Sequence, residues 1–339
     1  MPEEIVVAHF EVEDWERPYL EAGLPEMETV FFDGVLDSQN VDKIRSVKVI
    51  SVFVHSKVTR ILIGLLPHLG CIVTRSTGTD HIDMVCCRER GIVVSNVPTY
   101  GQNTVAEHTF ALILNLSRMV HKAYERTRRG DFSIEGLRGF DLYGKTIGVV
   151  GTGNIGLHVV RIARGFNMRV IAFDPYPKGT LADLLDFEYV DFDSLLAESD
   201  VVTIHCPLTD ETRHLFNRDS IARMKKDAIL VNTARGGIVE ASAVLEALEK
   251  GRLAGLAIDV FEGEEVLSEE TERLSGSFDS EKMRNYVLSR KLLDRENVIF
   301  TPHIAFNSTE AVERILKVTV ENLKGYLSGS PQNVVVWSW

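Results

Sequence analysis

Short apolar runs rich in β-branched residues recur at Ile5–Phe10, Thr29–Phe32, Val47–Val54, Cys71–Thr74 and Ile92–Val97, with Pro98 closing the last of them. Amphipathic stretches of helical length separate them. That alternation predicts a parallel α/β sheet, because parallel strands need a crossover long enough to hold a helix. The pattern resumes at Lys145–Gly151, Arg169–Asp174, Asp200–His205, Ala228–Asn232, Leu253–Asp259 and Asn297–Thr301. Between the two sets, Thr104 and Glu107 have the spacing of a capping box, opening a helix that reaches towards Arg126, with Arg128-Arg129-Gly130 as its stop. Its Phe110–Leu116 stretch is apolar almost all round, which suits a connector between domains that also meets another subunit. Glu240–Lys250 reads as a helix closed by Gly251, and Thr309–Leu327 as a final amphipathic helix. The Glu-rich segment Glu262–Glu296 is expected to be a surface excursion with local helix, and the tail Asn333–Trp337 is apolar enough to pack or pair.

Length and composition narrow the class. The 339 residues suffice for two domains of ordinary size, and 45% hydrophobic with 25% charged residues is the balance of a soluble globular protein. A formal net charge of −12 argues against nucleic acid or an anionic membrane surface as the main partner. Met1-Pro-Glu-Glu lacks the basic start of a signal peptide, and no apolar run approaches the roughly 20 residues needed to span a bilayer, so a cytoplasmic location is expected. Cys71, Cys86, Cys87 and Cys206 are too irregularly placed for a disulfide framework or zinc site and read as buried or half-buried apolar residues. His9, His68, His108 and His121 read as surface or core residues, since no metal-ligand spacing links them; no metal is expected.

The run from Lys145 feeds directly into Gly151-Thr-Gly153-Asn154-Ile155-Gly156 and then a helical pattern, which is the context a dinucleotide loop requires. In that reading Gly151 makes the tight turn, Gly153 lets backbone approach a pyrophosphate, and Gly156 lets helix and strand pack closely. The helix N-terminus holds the phosphates. Asp174 closes the next apolar run at the place for a carboxylate on the adenosine ribose hydroxyls. It would repel a 2′-phosphate, and Pro175-Tyr176-Pro177 offers no arginine to hold one, so NAD is favoured over NADP. Lys178 is the nearest cation and reads as a solvated loop residue.

Four later runs end in polar residues: His205-Cys-Pro207, Asn232-Thr233-Ala234-Arg235, Asp259-Val-Phe-Glu262-Gly-Glu264 and Thr301-Pro-His303. Open parallel sheets bind ligands beyond the carboxyl ends of their strands, so these groups should share an edge with the glycine loop. Passing a hydride between a carbon and NAD requires a group that gives or takes the oxygen-bound proton, which histidine does in both directions near neutral pH. A neighbouring carboxylate would orient that imidazole, and spacing alone does not choose among Glu262, Glu264 and Glu265. An arginine would grip a substrate carboxylate through its planar fork. His205 either caps its strand beside the cofactor or packs there, and Asp80 and Asp83 read as turn and helix-capping residues.

Thr233-Ala-Arg235-Gly-Gly, Asp259-Val-Phe-Glu262-Gly-Glu264-Glu and Thr301-Pro-His303-Ile-Ala-Phe306, together with the glycine loop, resemble the D-isomer-specific 2-hydroxyacid dehydrogenase family over nearly the whole chain, and within it most resemble the D-lactate dehydrogenase branch. The resemblance implies that His303 is the acid/base, Glu264 its carboxylate partner and Arg235 the substrate-gripping arginine. It implies that Asp259 lies near the nicotinamide carboxamide, with His205, Pro207, Thr233 and Ala234 also beside the cofactor. In Arg75-Ser-Thr77-Gly78, the Thr77 and Gly78 N–H groups would receive the substrate carboxylate. Tyr100 would close over the substrate, and His55 and Phe306 would line its side chain. The chain departs from the branch at Gly101-Gln102, His55 and Asn307, which bears on the identity of the 2-keto acid.

The same resemblance implies two doubly wound parallel-sheet domains: a Rossmann cofactor domain (102–304) inserted into a flavodoxin-like substrate domain (1–101 plus 305–339), in a homodimer. The expected activity is NAD-dependent reduction of pyruvate to D-lactate. A glyoxylate or hydroxypyruvate reductase is the alternative within the class, and an NAD(H)-sensing, corepressor-like binding protein the alternative outside it.

Overall fold

The computed structural model describes residues 7–25, 27–262 and 280–336. They belong to two compact units, Met1–Tyr100 with Ser308–Trp339, and Gly101–Asn307. The first unit opens with β1 (Val7–His9), α1 (Arg17–Gly23), β2 (Thr29–Phe31), β3 (Val49–Val52), α2 (Arg60–Leu65), β4 (Cys71–Thr74), α3 (Met84–Glu89) and β5 (Val93–Ser95). The second unit holds α4 (Gln102–Arg118), α5 (Val120–Arg128), β6 (Thr146–Val150), α6 (Asn154–Gly165), β7 (Arg169–Phe173), α7 (Gly179–Leu185), β8 (Glu188–Tyr189), α8 (Phe192–Glu198) and β9 (Val201–Ile204). It continues through α9 (Arg218–Arg223), β10 (Ala228–Asn232), α10 (Ala241–Glu249), β11 (Leu253–Ile258), α11 (Ser280–Leu293) and β12 (Val298–Phe300). The chain then returns to the first unit with α12 (Thr309–Leu327) and β13 (Val334–Val336).

The second unit is a parallel sheet ordered β12-β11-β10-β9-β6-β7-β8. Successive strand residues point to opposite faces, and each face closes its own core. Ile147, Val149, Val170, Ala172, Val201, Ile229 and Val231 pack with α4 and α6 residues such as Phe110, Ile113 and Val160. Val150, Ile171, Val202, Ile204 and Leu230 pack on the other side with Leu195, Ile221 and Val244 of α8, α9 and α10. The direction of winding reverses between β6 and β9, and the crevice there is where such sheets take ligands.

The first unit's sheet, ordered β13-β5-β4-β3-β1-β2, has the flavodoxin-like arrangement over β1–β5. Ala8, Ile50, Ile72 and Val94 face α2 and α3, whereas Val7, Val49, Cys71 and Val73 face Leu323 and Tyr326 of α12. The tail does pair: β13 joins β5, but antiparallel, so this sheet is not wholly parallel. A chain that leaves α12 and turns straight back has no crossover with which to run parallel.

Two boundaries differ from expectation. Gly101, not a capping-box threonine, precedes α4, and no side chain caps it. The helix also stops at Arg118: Met119 takes a left-handed φ of +53°, and Asn115 Oδ1 accepts the His121 N–H at 2.8 Å where α5 begins. The apolar face of α4 is spent inside its own unit, since Val105, Ala106, Phe110, Leu112, Ile113 and Leu116 are all buried, leaving that face unavailable to a second subunit. Near the return to the first unit, Asp259 holds the Ile304 and Ala305 N–H groups and Asn307 N–H bonds Ile304 O.

Candidate active site

The glycine loop occupies the β6/β9 crevice. Gly151 has φ +96°, and a β-carbon there would lie 2.8 Å from Cys206 N and from the His205 carbonyl, so only glycine lets the turn pass so close to the exit of β9. At Gly156 a β-carbon would lie 2.0 Å from Gly151 O, which accounts for the tight seat of α6 on its strand. Gly153 faces open space, and no side chain caps the α6 N-terminus it precedes. An uncapped helix start beside open space and below a tight turn fits a pyrophosphate. Asn154 and Ile155 form the first turn of that helix.

Asp174 leaves the adjacent β7. Its Oδ2 accepts from Thr152 N–H at 2.7 Å and the Thr152 hydroxyl at 2.8 Å, and its Oδ1 accepts from Tyr176 N–H at 2.9 Å. Burial opposes its charge, but these bonds and Lys178 hold the carboxyl below the usual range. The acid is therefore anchored to the glycine loop itself, and its charged form is favoured. His205 is half-buried, with a ring nitrogen 2.9 Å from Thr203 Oγ1, and burial pushes its imidazole down to about 3. It is a neutral strand-end residue beside the loop rather than an acid/base. Pro207 follows it, exposed.

Beyond β10, Asn232 pins the turn that carries Arg235. Its Oδ1 accepts Ala234 N–H at 3.0 Å and its Nδ2 donates to Arg235 O at 2.9 Å, while Thr233 Oγ1 lies 3.0 Å from Thr109 Oγ1 of α4. Gly236 lets this turn lie against the exit of β11, where a β-carbon would meet Phe261 C at 2.2 Å. Arg235 is half-buried, and its Nη1 donates to Ala234 O at 2.8 Å. Glu262, at the end of the described stretch, lies 3.1 Å from His214 Nε2. Glu264 and Glu265 lie outside the described residues.

Asp259, fully buried past β11, organises the turn after β12. Its carboxylate accepts the Thr301 hydroxyl at 2.5 Å, Ile304 N–H at 3.0 Å and Ala305 N–H at 2.8 Å, and its carbonyl accepts His303 N–H at 2.9 Å. Burial alone would raise its pKa, but these bonds and His108 hold the carboxyl below the usual range. His303 has φ +53°, a left-handed conformation costing a residue with a β-carbon about 1–2 kcal/mol, so the surrounding bonds must hold it there. His303 and Phe306 are half-buried. The unforeseen member is His108 of α4, whose Nε2 lies 3.1 Å from Thr301 Oγ1 and 3.5 Å from Asp259 Oδ1.

In the first unit, the turn after β4 presents Thr77 and Gly78. Asn96 Nδ2 donates to Thr77 O and Ser76 Oγ to Gly78 O, both at 2.7 Å, while the Thr77 hydroxyl donates to Val97 O at 2.8 Å. With both carbonyls tied down, the Thr77 and Gly78 N–H groups have no internal partner among the described residues, the arrangement of a backbone anion receptor. Tyr100 O accepts from Arg314 Nε of α12. His55 is exposed, its N–H donating to Glu11 Oε1 at 3.0 Å. Asp83 caps α3, as its spacing suggested, by accepting Cys86 N–H at 2.7 Å. Among the described residues no cluster of metal ligands forms, and no helix is long and apolar enough to cross a membrane.

A glycine loop at the switch point of a parallel sheet, an acid anchored to that loop from the adjacent strand, and an arginine and a histidine leaving the same strand edge define a nicotinamide-dinucleotide-dependent oxidoreductase. Residues 110–305 match the D-isomer specific 2-hydroxyacid dehydrogenase, NAD binding domain. The D-lactate dehydrogenase of Escherichia coli is 38% identical over 307 residues, covering 89% of this chain and 90% of its own, and a 2-hydroxyacid dehydrogenase homolog of Haemophilus influenzae is 36% identical over 335 residues, covering 97% and 99%. A solved D-lactate dehydrogenase of Aquifex aeolicus, complexed with NAD and lactic acid, superposes with a TM-score of 0.89 at 33% identity, covering 98% of this chain and all of its own. The chain belongs to the D-isomer-specific 2-hydroxyacid dehydrogenase family and is an NAD-dependent oxidoreductase similar to D-lactate dehydrogenases.

Proposed function

We propose that this enzyme reduces pyruvate to D-lactate, with His303 delivering the proton. The observation that carries the reading is the common sheet edge that holds the glycine loop, Arg235 and the strained His303 turn. Bound NADH supplies the hydride to the keto carbon. The Thr77 and Gly78 N–H groups, without a partner among the described residues, receive the carboxylate, and the Arg235 fork binds it through charge-assisted hydrogen bonds. His303 donates its proton to the keto oxygen as charge develops there and takes it back in the oxidative direction. Asp174 takes the ribose hydroxyls, and its anionic state disfavours a 2′-phosphate. Asp259, Thr233, Ala234, His205 and Pro207 line the cofactor; Tyr100, His55 and Phe306 line the substrate; Glu264 orients His303. Support for pyruvate comes from the lactate dehydrogenases among the relatives, one solved with lactic acid.

The test is NADH oxidation with pyruvate, glyoxylate, hydroxypyruvate, phenylpyruvate and 2-ketoisocaproate, each product assayed for hand. Pyruvate should give D-lactate with the highest kcat/KM. His303→Ala should lower kcat by about 10²- to 10⁴-fold while NADH still binds within about threefold of the parent affinity. Retained turnover in that variant overturns the assignment of the proton donor, and no turnover by the parent on any acid overturns the activity.

The protein acts as a homodimer joined through α5 and the segment that follows it. No residue of α5 is buried, and Tyr124, Phe132, Ile134 and Tyr143 are 62%, 79%, 86% and 75% exposed, a density of open apolar side chains that marks an interaction surface.

A further inference from the structure

The imidazole that completes the Asp259 cluster comes from α4, 193 residues before the threonine it meets, and none of the roles assigned above requires it. The Thr301 hydroxyl gives its proton to Asp259 Oδ1, so it presents an acceptor lone pair to His108 Nε2. Asp259 Oδ1, 3.5 Å from the same nitrogen, is also an acceptor. Both neighbours of Nε2 therefore demand a donor, which assigns the ring hydrogen to Nε2. Asp259 Oδ1, which takes this contact and the Thr301 hydroxyl, also accepts the Ile304 N–H; its Oδ2 accepts the Ala305 N–H and its carbonyl the His303 N–H. Those three consecutive amides are the backbone of the acid/base residue and of the two residues after it. Because His303 sits at φ +53°, the turn keeps its shape through these bonds and not through local preference.

From this chain of contacts we propose that His108 is a positioning residue for the acid/base turn. Its Nε2–H orients the Thr301 hydroxyl and the Asp259 carboxylate, which together hold the backbone that aims His303. Removing the donor frees Thr301 to rotate and leaves the Asp259 carboxylate with one fewer bond opposing its movement. The imidazole of His303 then loses aim while the glycine loop and Asp174 stay as they are. The inference rests on His303 being the proton donor, but its structural part can be measured without turnover.

The experiment compares the parent with His108→Leu, which keeps bulk without a donor, and His108→Gln, which offers an N–H at similar reach. The readouts are kcat and KM for pyruvate, NADH affinity by fluorescence, melting temperature, and hydrogen–deuterium exchange of the peptide spanning 301–306. H108L should lose about ten- to hundredfold in kcat, the scale of a small misplacement of a reacting group, with KM and NADH affinity within about threefold. Exchange at 301–306 should rise, and H108Q should restore most of both. Unchanged exchange in H108L with kcat within about twofold of the parent overturns the proposal, as does H108Q behaving like H108L. Loss of kcat that merely tracks a falling melting temperature, with exchange rising throughout the protein, assigns His108 a packing role and also overturns it. If H108L does not fold, His108→Asn, whose amide is too short to reach Thr301, takes its place. A parent without turnover, together with faster exchange at 301–306 in H108L and recovery in H108Q, leaves the positioning contact standing and overturns the activity instead.

Discussion

His9 shows what burial does to a single residue here. It lies on β1 with no exposed surface, its ring stacks on Phe31 at 5.0 Å, and neither ring nitrogen has a partner among the described residues. Burial, followed by the nearby Arg75 guanidinium, pushes its imidazole from 6.5 down to about 3. The folded protein thus refuses a proton that the unfolded chain accepts below pH 6.5. Stability is full above that pH and falls as pH drops from 6.5 towards 3, by up to about 1.4 kcal/mol per pH unit for this one group. His9→Phe should flatten the fall in urea midpoint between pH 7 and pH 5; an equally steep fall in the variant would show that His9 stays neutral for no energetic reason of its own. Legibility at this scale was uneven. The glycines and Asp174 announce themselves by local spacing; Asn232 bonds Ala234 and Arg235 within its own turn, and His108 and Glu11 reach partners that spacing does not reveal. Of these, Asn232 had a signal, since it stands at the strand end beside Arg235. His108 had none, because its partners Asp259 and Thr301 come from the exits of β11 and β12.

Among the elements, the exits of β1 and β3 carry the clearest construction. Glu11 follows β1 at φ +56°, and its carboxylate accepts the N–H groups of Phe53, His55 and Ser56 at 3.0, 3.0 and 3.1 Å, along with the Ser56 hydroxyl. Arg75 Nη2 fastens the same corner by donating to Phe10 O and Glu11 O at 2.7 and 2.5 Å. One carboxylate at the switch point of the flavodoxin-like sheet therefore sets the turn that presents His55. Charge-assisted bonds of this kind are worth about 1.5–3 kcal/mol each when buried and less at this partly open corner. Glu11→Ala should raise KM for pyruvate about three- to tenfold, moving kcat less and leaving NADH affinity unchanged in steady-state and fluorescence assays. An unaltered KM would remove His55 and its turn from the substrate side. The misread start of α4 belongs to this scale as well: Thr104 and Glu107 have capping-box spacing, yet the helix begins earlier, at Gln102. Gly101 precedes it with no side-chain cap, so the capping-box pair falls inside the helix.

For the whole molecule, assembly turns on which apolar surface the fold leaves open. The apolar face of α4 is buried, whereas α5 and the following segment carry a run of exposed apolar side chains. Phe132→Glu combined with Ile134→Glu places two charges in that surface, and desolvating them would cost several kcal/mol on association. Light scattering should then report a monomer where the parent is a dimer. A double variant that stays dimeric moves the interface elsewhere, and a monomeric parent dismisses it.

The amino-acid sequence alone determined the α/β class and the dinucleotide loop, because strand periodicity and glycine spacing are local properties that survive any packing, and it placed Arg235 and His303 at strand ends as candidates for the chemistry. It also held both sheet memberships in outline, down to a tail able to pair. Tertiary structure alone decided which strand that tail joins and in which direction, which face of α4 is consumed, and which distant groups hold the His303 turn. Those outcomes depend on contacts between residues far apart in the chain, from 45 positions for Asp259 and Ile304 to 239 for Ser95 and Val334, where the chain carries the chemistry but only the fold supplies the distance.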